Sequence, residues 1–304
     1  LHAVGARPRR TLSFTGNPAV SFGAVLALIV FLLGDAAFAY SIGNRFASSV
    51  WYVQGVRAGN ERGDVDEAER FVLRAVGRFP SDVYARALAE TALARMQTLL
   101  ARANESNADA TREAFERALG QAISYGRSAV GYDGDNYENW LSLGRVYEAV
   151  VPLKISGAYE SARSAYEEAQ KQNPKSPGIP LAIARLEVAN GDGARAREFI
   201  GAALALKQNY TEAIFLLSQL EVQEGNIAAA IQSVEAATVL APNDSVLRFQ
   251  LGLLKYNEKD FRGAAAAFER AVAQNQNYAN ARYFLGLAYE RLGRDADAVT
   301  QFEW

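Results

Sequence analysis

The segments ARSAYEEA (Ala162–Ala169), AREFIGAA (Ala196–Ala203), AIQSVEAA (Ala230–Ala237), AAAAFERA (Ala264–Ala271) and AVTQFEW (Ala298–Trp304) begin 34 residues apart, each on an alanine. Four places after that alanine stands an apolar residue, Tyr166, Ile200, Val234, Phe268 or Phe302. Seven places after it, in the first four segments, stands a second alanine. Steps of four and seven bring residues onto one face of a helix. Between these brackets a second amphipathic segment recurs, as in FQLGLLKY from Phe249 and YFLGLAYERLG from Tyr283. Each period therefore holds two helices, and the chain reads as all-α.

The arrangement resembles the tetratricopeptide repeat, whose 34-residue consensus runs Trp, Leu-Gly, Tyr, spaced alanines, Pro. Trp140, Leu143, Gly144 and Tyr147 occupy those offsets in one unit. Leu251 with Gly252, and Leu285 with Gly286 and Tyr289, do so in two others, and Pro174 and Pro242 close two repeats. The small residues suit places where two helix backbones nearly touch, with a large side chain filling the hole opposite. The resemblance implies a right-handed superhelix of helical hairpins, a TPR-type α-solenoid, with each repeat burying its face on its neighbours. Regular repeats are expected near 177–210, 211–244, 245–278 and 279–304, the last one truncated, within a regular array over 137–304.

The stretch 41–136 is expected to hold divergent repeats. In GDVDEAERFVLRAVGRFPSD the bracket returns as Gly63, Ala68, Val72, Ala75 and Pro80. The triplet Arg62-Gly63-Asp64 inside it is read as the turn between two helices rather than as an adhesion motif. A second unit is stretched, since Ala68 and Ala122 lie 54 residues apart. Two lengthened helices joined by the polar break NESNADA at the surface account for the excess. In the third repeat six extra residues fall in EAVVPLKISGAYESA, where Pro152 is expected to stop the first helix. The apolar residues that follow, Val150, Val151, Leu153 and Ile155, either form an exposed patch or fold back on the second repeat.

At the other end, residues Thr11–Gly34 carry no charge, and Ala19–Tyr40 is apolar apart from Ser21 and Asp35. Twenty-two helical residues reach about 33 Å, enough for a hydrocarbon core of about 30 Å. We expect a transmembrane helix over 19–40 after a cytoplasmic juxtamembrane segment, 1–18. Asp35 is then placed to reach the interface, and Tyr40, Trp51 and Tyr52 suit an aromatic belt, unless they are core of the first repeat. A cleavable signal peptide is the rival reading, from Arg7, Arg9, Arg10 and the Ala37-Phe38-Ala39 site, with RRTLSF as a weak twin-arginine hint; a buried soluble helix is the third. Under the first two, the repeats lie outside the cytoplasm, because arginines cluster ahead of the apolar run.

Composition narrows the chemistry. The 304 residues are 50% hydrophobic and 22% charged with a net charge of −2, so nothing draws the chain to nucleic acid. There is no cysteine and one histidine, His2, which removes disulfides, thiolate nucleophiles, cysteine zinc sites and most histidine-based catalysis. No catalytic residue, cofactor or metal site is assigned. Asp133 and Asp135 alternate as in a calcium loop but lack its glycine and distal glutamate. The sequons at Asn104, Asn209 and Asn243 matter only in a suitable secretory pathway. Glu167 and Glu168 read as solvating charges. A chain that starts on Leu1 and stops within a repeat is expected to be a fragment.

Function then rests on the repeat surface. In this family the first helices line a concave groove through their second, fifth, ninth, twelfth and thirteenth positions. Carried onto this chain, the fifth positions are Leu141, Leu181, Phe215, Phe249 and Tyr283. The ninth include Arg145, Arg185 and Gln219, with Leu253 and Leu287; the twelfth and thirteenth include Tyr256, Asn257, Glu290 and Arg291. This ladder of aromatic residues with arginines toward one end departs from the lysine–asparagine clamp for C-terminal carboxylates. Its fifth positions either face the groove or pack between repeats. Two readings follow: a membrane-anchored scaffold that holds a protein or peptide partner, or the C-terminal accessory part of a polytopic membrane enzyme. The second rests on a likeness to bacterial O-antigen ligase-like proteins, a membrane span feeding directly into repeats, with catalysis upstream of Leu1.

Overall fold

A computed structural model describes residues 18–101 and 108–303, and among them every regular element is helical. The chain divides into two compact units, 1–84 and 85–304. The juxtamembrane arginines, His2 and the Asn104 sequon lie outside the described residues, as does most of the polar break.

The first unit is a hairpin of α1 (Pro18–Arg62) and α2 (Val65–Arg78). Helix α1 runs unbroken for 45 residues, so the expected apolar span and the first helix of the first repeat are one element. Its two parts differ in burial. Every residue from Val25 to Tyr40 is exposed, whereas Ser48, Gly55 and Ala58 are buried against α2. Gly55 allows the close approach, because a Cβ there would lie 2.7 Å from a Val72 methyl. The expected bracket Ala68, Val72 and Ala75 is buried. Gly63 takes φ 65° in the turn, and the Asp64 carboxylate accepts from the Glu67 N–H, so the Arg-Gly-Asp triplet is a capped turn. Trp51 stacks on Phe71 of α2 and Tyr52 lies against Tyr84, so both are half-buried in packing within the first unit, while Tyr40 is exposed.

In the second unit α3 (Asp82–Ala101) and α4 (Ala108–Tyr132) are the long helices expected for the stretched repeat. The hairpins α5 (Tyr137–Glu148)/α6 (Ala158–Gln172), α7 (Gly178–Asn190)/α8 (Gly193–Leu206), α9 (Thr211–Gln223)/α10 (Ile227–Leu240), α11 (Ser245–Asn257)/α12 (Phe261–Gln274) and α13 (Ala279–Arg291)/α14 (Asp295–Phe302) follow. Helix α5 ends four residues ahead of Pro152, which opens a 3-10 turn, Val151–Leu153. The insertion divides: Val150 and Val151 are buried in one cluster with Met96 and Ile179, while Leu153 and Ile155 stay exposed. Its turn packs on α7 as well as joining the core shared with α3.

Three periodic devices hold the array. The alanines at 162, 196, 230 and 264 are fully buried, and Ala298 is nearly so. Turns inside hairpins repeat one geometry: Gly191, Gly225, Lys259 and Gly293 take φ 85°, 79°, 65° and 72°. In each, the next residue's N–H closes back on the carbonyl of Glu187, Glu221, Lys255 or Tyr289 at 2.7–2.9 Å, a left-handed helix stop. The same four residues then reach the second helix of the preceding repeat. Glu187 accepts from Arg163 at 2.6 Å, Glu221 lies 3.7 Å from Arg197, Lys255 pairs with Glu235 at 2.7 Å, and the Tyr289 hydroxyl donates to Glu269 at 2.8 Å.

Candidate peptide-binding face

The proposed face is drawn from the second, fifth, ninth, twelfth and thirteenth positions of α5, α7, α9, α11 and α13, and part of it packs on the second helices. Its residues divide by burial. Phe215 is 44% exposed and Tyr283 54%, although ordinary solvent exposure favours polar side chains there. Phe249 is half-buried, with ring centroids 5.7 Å from Phe268, 5.0 Å from Tyr278 and 5.8 Å from Phe284. Tyr256, also half-buried, lies 5.2 Å from Phe261 and 6.4 Å from Phe284, and its hydroxyl accepts from Arg291 Nε at 3.4 Å. Asn257, Gln219 and Arg291 are exposed. Tyr283 touches Phe284 at 5.5 Å and Phe302 at 5.9 Å, beside a cleft of 320 Å³ that Arg282 and Gln301 help to line.

Leu181 departs from the expectation. It is 2% exposed and clusters with Ala196 and Ile200 of its own repeat and with Ala213 and Tyr210 of the next, so it is core and lines no face. Leu141 is half-buried against the core of the third repeat. Arg145 and Arg185 are exposed, and Arg145 lies 3.8 Å from Glu90. The two arginines act on Glu148, a half-buried residue at the twelfth position of α5. Burial raises its carboxyl above the ordinary range, opposed by the hydrogen bond from Tyr166 and by both guanidiniums. Burial first, and then the Glu148 carboxylate, push the Tyr166 hydroxyl far up, so that it stays a neutral donor.

Sequence reasoning missed four contributors: Glu148, Phe284 and the exposed Val222 (38%) and Val246 (49%). The two valines occupy the twelfth and second positions of their helices and could have been found by completing the offset series. Phe284 could not, because it lies one residue beyond a fifth position and joins the cluster through packing. The turn at Asp133 and Asp135 is closed on itself, the Asp133 carboxylate accepting from the Asp135 N–H at 3.2 Å. No group of three or more His, Asp or Glu side chains suited to a metal occurs among the described residues.

Two sequence profiles described as tetratricopeptide repeat match the chain, over residues 153–209 and 249–303. Those two segments match the tetratricopeptide repeat, in agreement with the 34-residue period. Among solved structures, yeast Tom70 superposes with a TM-score of 0.66 at 14% identity, over 86% of this chain and 50% of that one. At that identity the likeness shows the fold, and this chain spans half the length of the yeast protein. A tetratricopeptide repeat protein from Parabacteroides merdae gives 0.48 at 15% identity, covering 84% of this chain and 91% of the other. YrrB, described as a TPR protein with an unusual peptide-binding site, gives 0.39 at 18%, covering 59% and 89%. Comparison with curated proteins yields no significant match. None of these likenesses carries the resemblance to O-antigen ligase-like proteins.

Proposed function

We propose that the chain is a membrane-anchored, non-enzymatic scaffold whose first-helix face holds an apolar or aromatic-bearing peptide or partner helix. One observation carries this reading: large apolar side chains stay exposed along that face at Phe215, Val222, Val246 and Tyr283. On the second helices the bracket residues Tyr166, Ile200, Val234 and Phe268 are buried almost completely, whereas Phe302, the last of that series, is exposed. Four exposed apolar side chains spread over α9, α11 and α13 at offsets that share one side of a helix support a contact surface. Arg145 and Arg185 lie toward the other end and receive acidic groups of the partner. Anchoring is supported by the apolar exposed half of α1, and an extracytoplasmic placement by the arginines that precede it in sequence.

The test separates contact from core. Aromatic anchors in interfaces are worth about 2 kcal/mol or more, a loss of about thirtyfold in affinity. Peptides selected on the full chain in detergent are expected to lose that much on Phe215→Ala and on Tyr283→Ala, with the melting temperature unchanged. Phe249→Ala is a poorer probe, since its ring packs on three aromatic neighbours. Selected peptides that bind both single variants as well as the parent would remove this face as the binding site.

A further inference from the structure

We propose that the base of the first hairpin, made by Arg45 and Phe46 of α1 and by Arg78 and Phe79 of α2, rests on the phosphates of an anionic bilayer surface. The inference builds on the reading of α1 as membrane-spanning over 19–40. Register comes first. The Ser48 hydroxyl donates to the Ala75 carbonyl at 2.9 Å, which sets those two residues level. Because α2 runs back antiparallel to α1, Arg78, three residues after Ala75, comes level with Arg45, three residues before Ser48. The pairing of the two elements there is direct: the Arg45 guanidinium stands 4.6 Å above the Phe79 ring.

Height follows from the same helix. Packing on α1 begins at the half-buried Ser41 and Asn44, immediately after the fully exposed apolar stretch that ends at Tyr40. Arg45 is five residues beyond Tyr40, about 7.5 Å along the axis. The polar layer on each side of a hydrocarbon core is about 5–8 Å deep. A straight α1 therefore puts Arg45 and Arg78, both exposed, at phosphate depth, with Phe46, 71% exposed, beside them. Trp51 and its Arg74, at 5.1 Å, stand one to two turns higher and are excluded from the contact. The carbonyl end of α2 also faces this surface; Arg78, in its last turn, offsets that partial negative charge.

The cysteine-free chain allows a single label. Gly77 is an exposed helical position where a Cβ meets nothing within 4 Å, so Gly77→Cys reports on the hairpin base. Asn60→Cys, exposed on the same α1 fifteen residues beyond Arg45 and so about 22 Å further along its axis, serves as the control. The full chain, carrying bimane at one of them, is reconstituted in phosphatidylcholine vesicles containing a headgroup-nitroxide lipid, with or without phosphatidylglycerol. The label at 77 is expected to be quenched and that at 60 not, and anionic lipid is expected to raise quenching at 77 by at least about twofold. Arg45→Gln with Arg78→Gln should abolish that rise. A chain released by carbonate extraction overturns the membrane reading itself. A chain retained in the membrane whose label at 77 is unquenched, or quenched alike with and without phosphatidylglycerol, overturns the headgroup contact while anchoring stands.

Discussion

At residue 252 a missing methyl group sets how two helices meet. A Cβ on Gly252 would lie 2.4 Å from the Phe268 ring, and the same holds for Gly286 against Phe302 and, at 2.3 Å, for Gly144 against Tyr166. In the two repeats between, the first helix carries Ala184 or Ser218 at this place, and the facing side chain shrinks to Ile200 or Val234. The pair conserves volume rather than identity. Gly252→Ala is expected to cost about 1–3 kcal/mol by overpacking. Adding Phe268→Ile, which copies the Ala184–Ile200 pairing, should recover part of it, with a coupling of at least about 1 kcal/mol in a double-mutant cycle. Urea titrations of the four chains measure it, and strict additivity would show that the ring and the glycine do not share the space. Lys259 is the residue-scale exception in the turn series, with φ 65° where its three counterparts are glycine; nothing in the structure explains it.

Between elements, the polar ladder decides which helix sits behind which. Glu187 is fully buried and accepts from Arg163 at 2.6 Å and from the Tyr159 hydroxyl at 3.1 Å, with Arg195 at 3.8 Å. Removing Arg163 leaves the buried carboxylate with only the Tyr159 hydroxyl and the more distant Arg195, so Arg163→Ala is expected to cost about 3 kcal/mol. A loss under about 1 kcal/mol, the level of an exposed pair, would assign α6–α7 docking to apolar contacts alone. The ladder's spacing was present in the sequence, but its signs hide it: carboxylates at 187 and 221 give way to a lysine at 255 and a tyrosine at 289. Alanine and glycine positions were legible because each needs a single property, smallness, at a fixed period. Burial of a fifth-position side chain needs two neighbouring repeats to be known together. That is why the offsets left open which fifth-position side chains stand exposed, as Phe215 and Tyr283 do, and which close into the core, as Leu181 does under Ala213 and Tyr210. The unbroken α1 was not legible either, since apolar composition and hairpin patterning give no sign of whether a hinge divides them.

For the molecule as a whole, that unbroken helix bears on how the repeats are tethered. If α1 spans the bilayer, its packed stripe starts at the half-buried Ser41, one residue beyond the apolar stretch, and the helix continues unbroken from membrane into repeat. Cleavage after Ala39 would leave the same packed stripe intact, so hairpin integrity does not discriminate anchor from signal peptide. Chain mass and protease access do. The arginines ahead of the apolar run predict a cytoplasmic N-terminus and repeats on the far side. Protease added to right-side-out spheroplasts is expected to digest the repeats from the C-terminal side, and to spare them in inverted vesicles. The intact mass of the membrane fraction should retain Ala19–Tyr40. The reverse protection pattern would invert the orientation, and a mature chain that begins at Tyr40 would replace the anchor by a cleaved signal. In that last case the apolar face of Phe215 and Tyr283 would be carried by a secreted solenoid, with its partner-binding test unchanged.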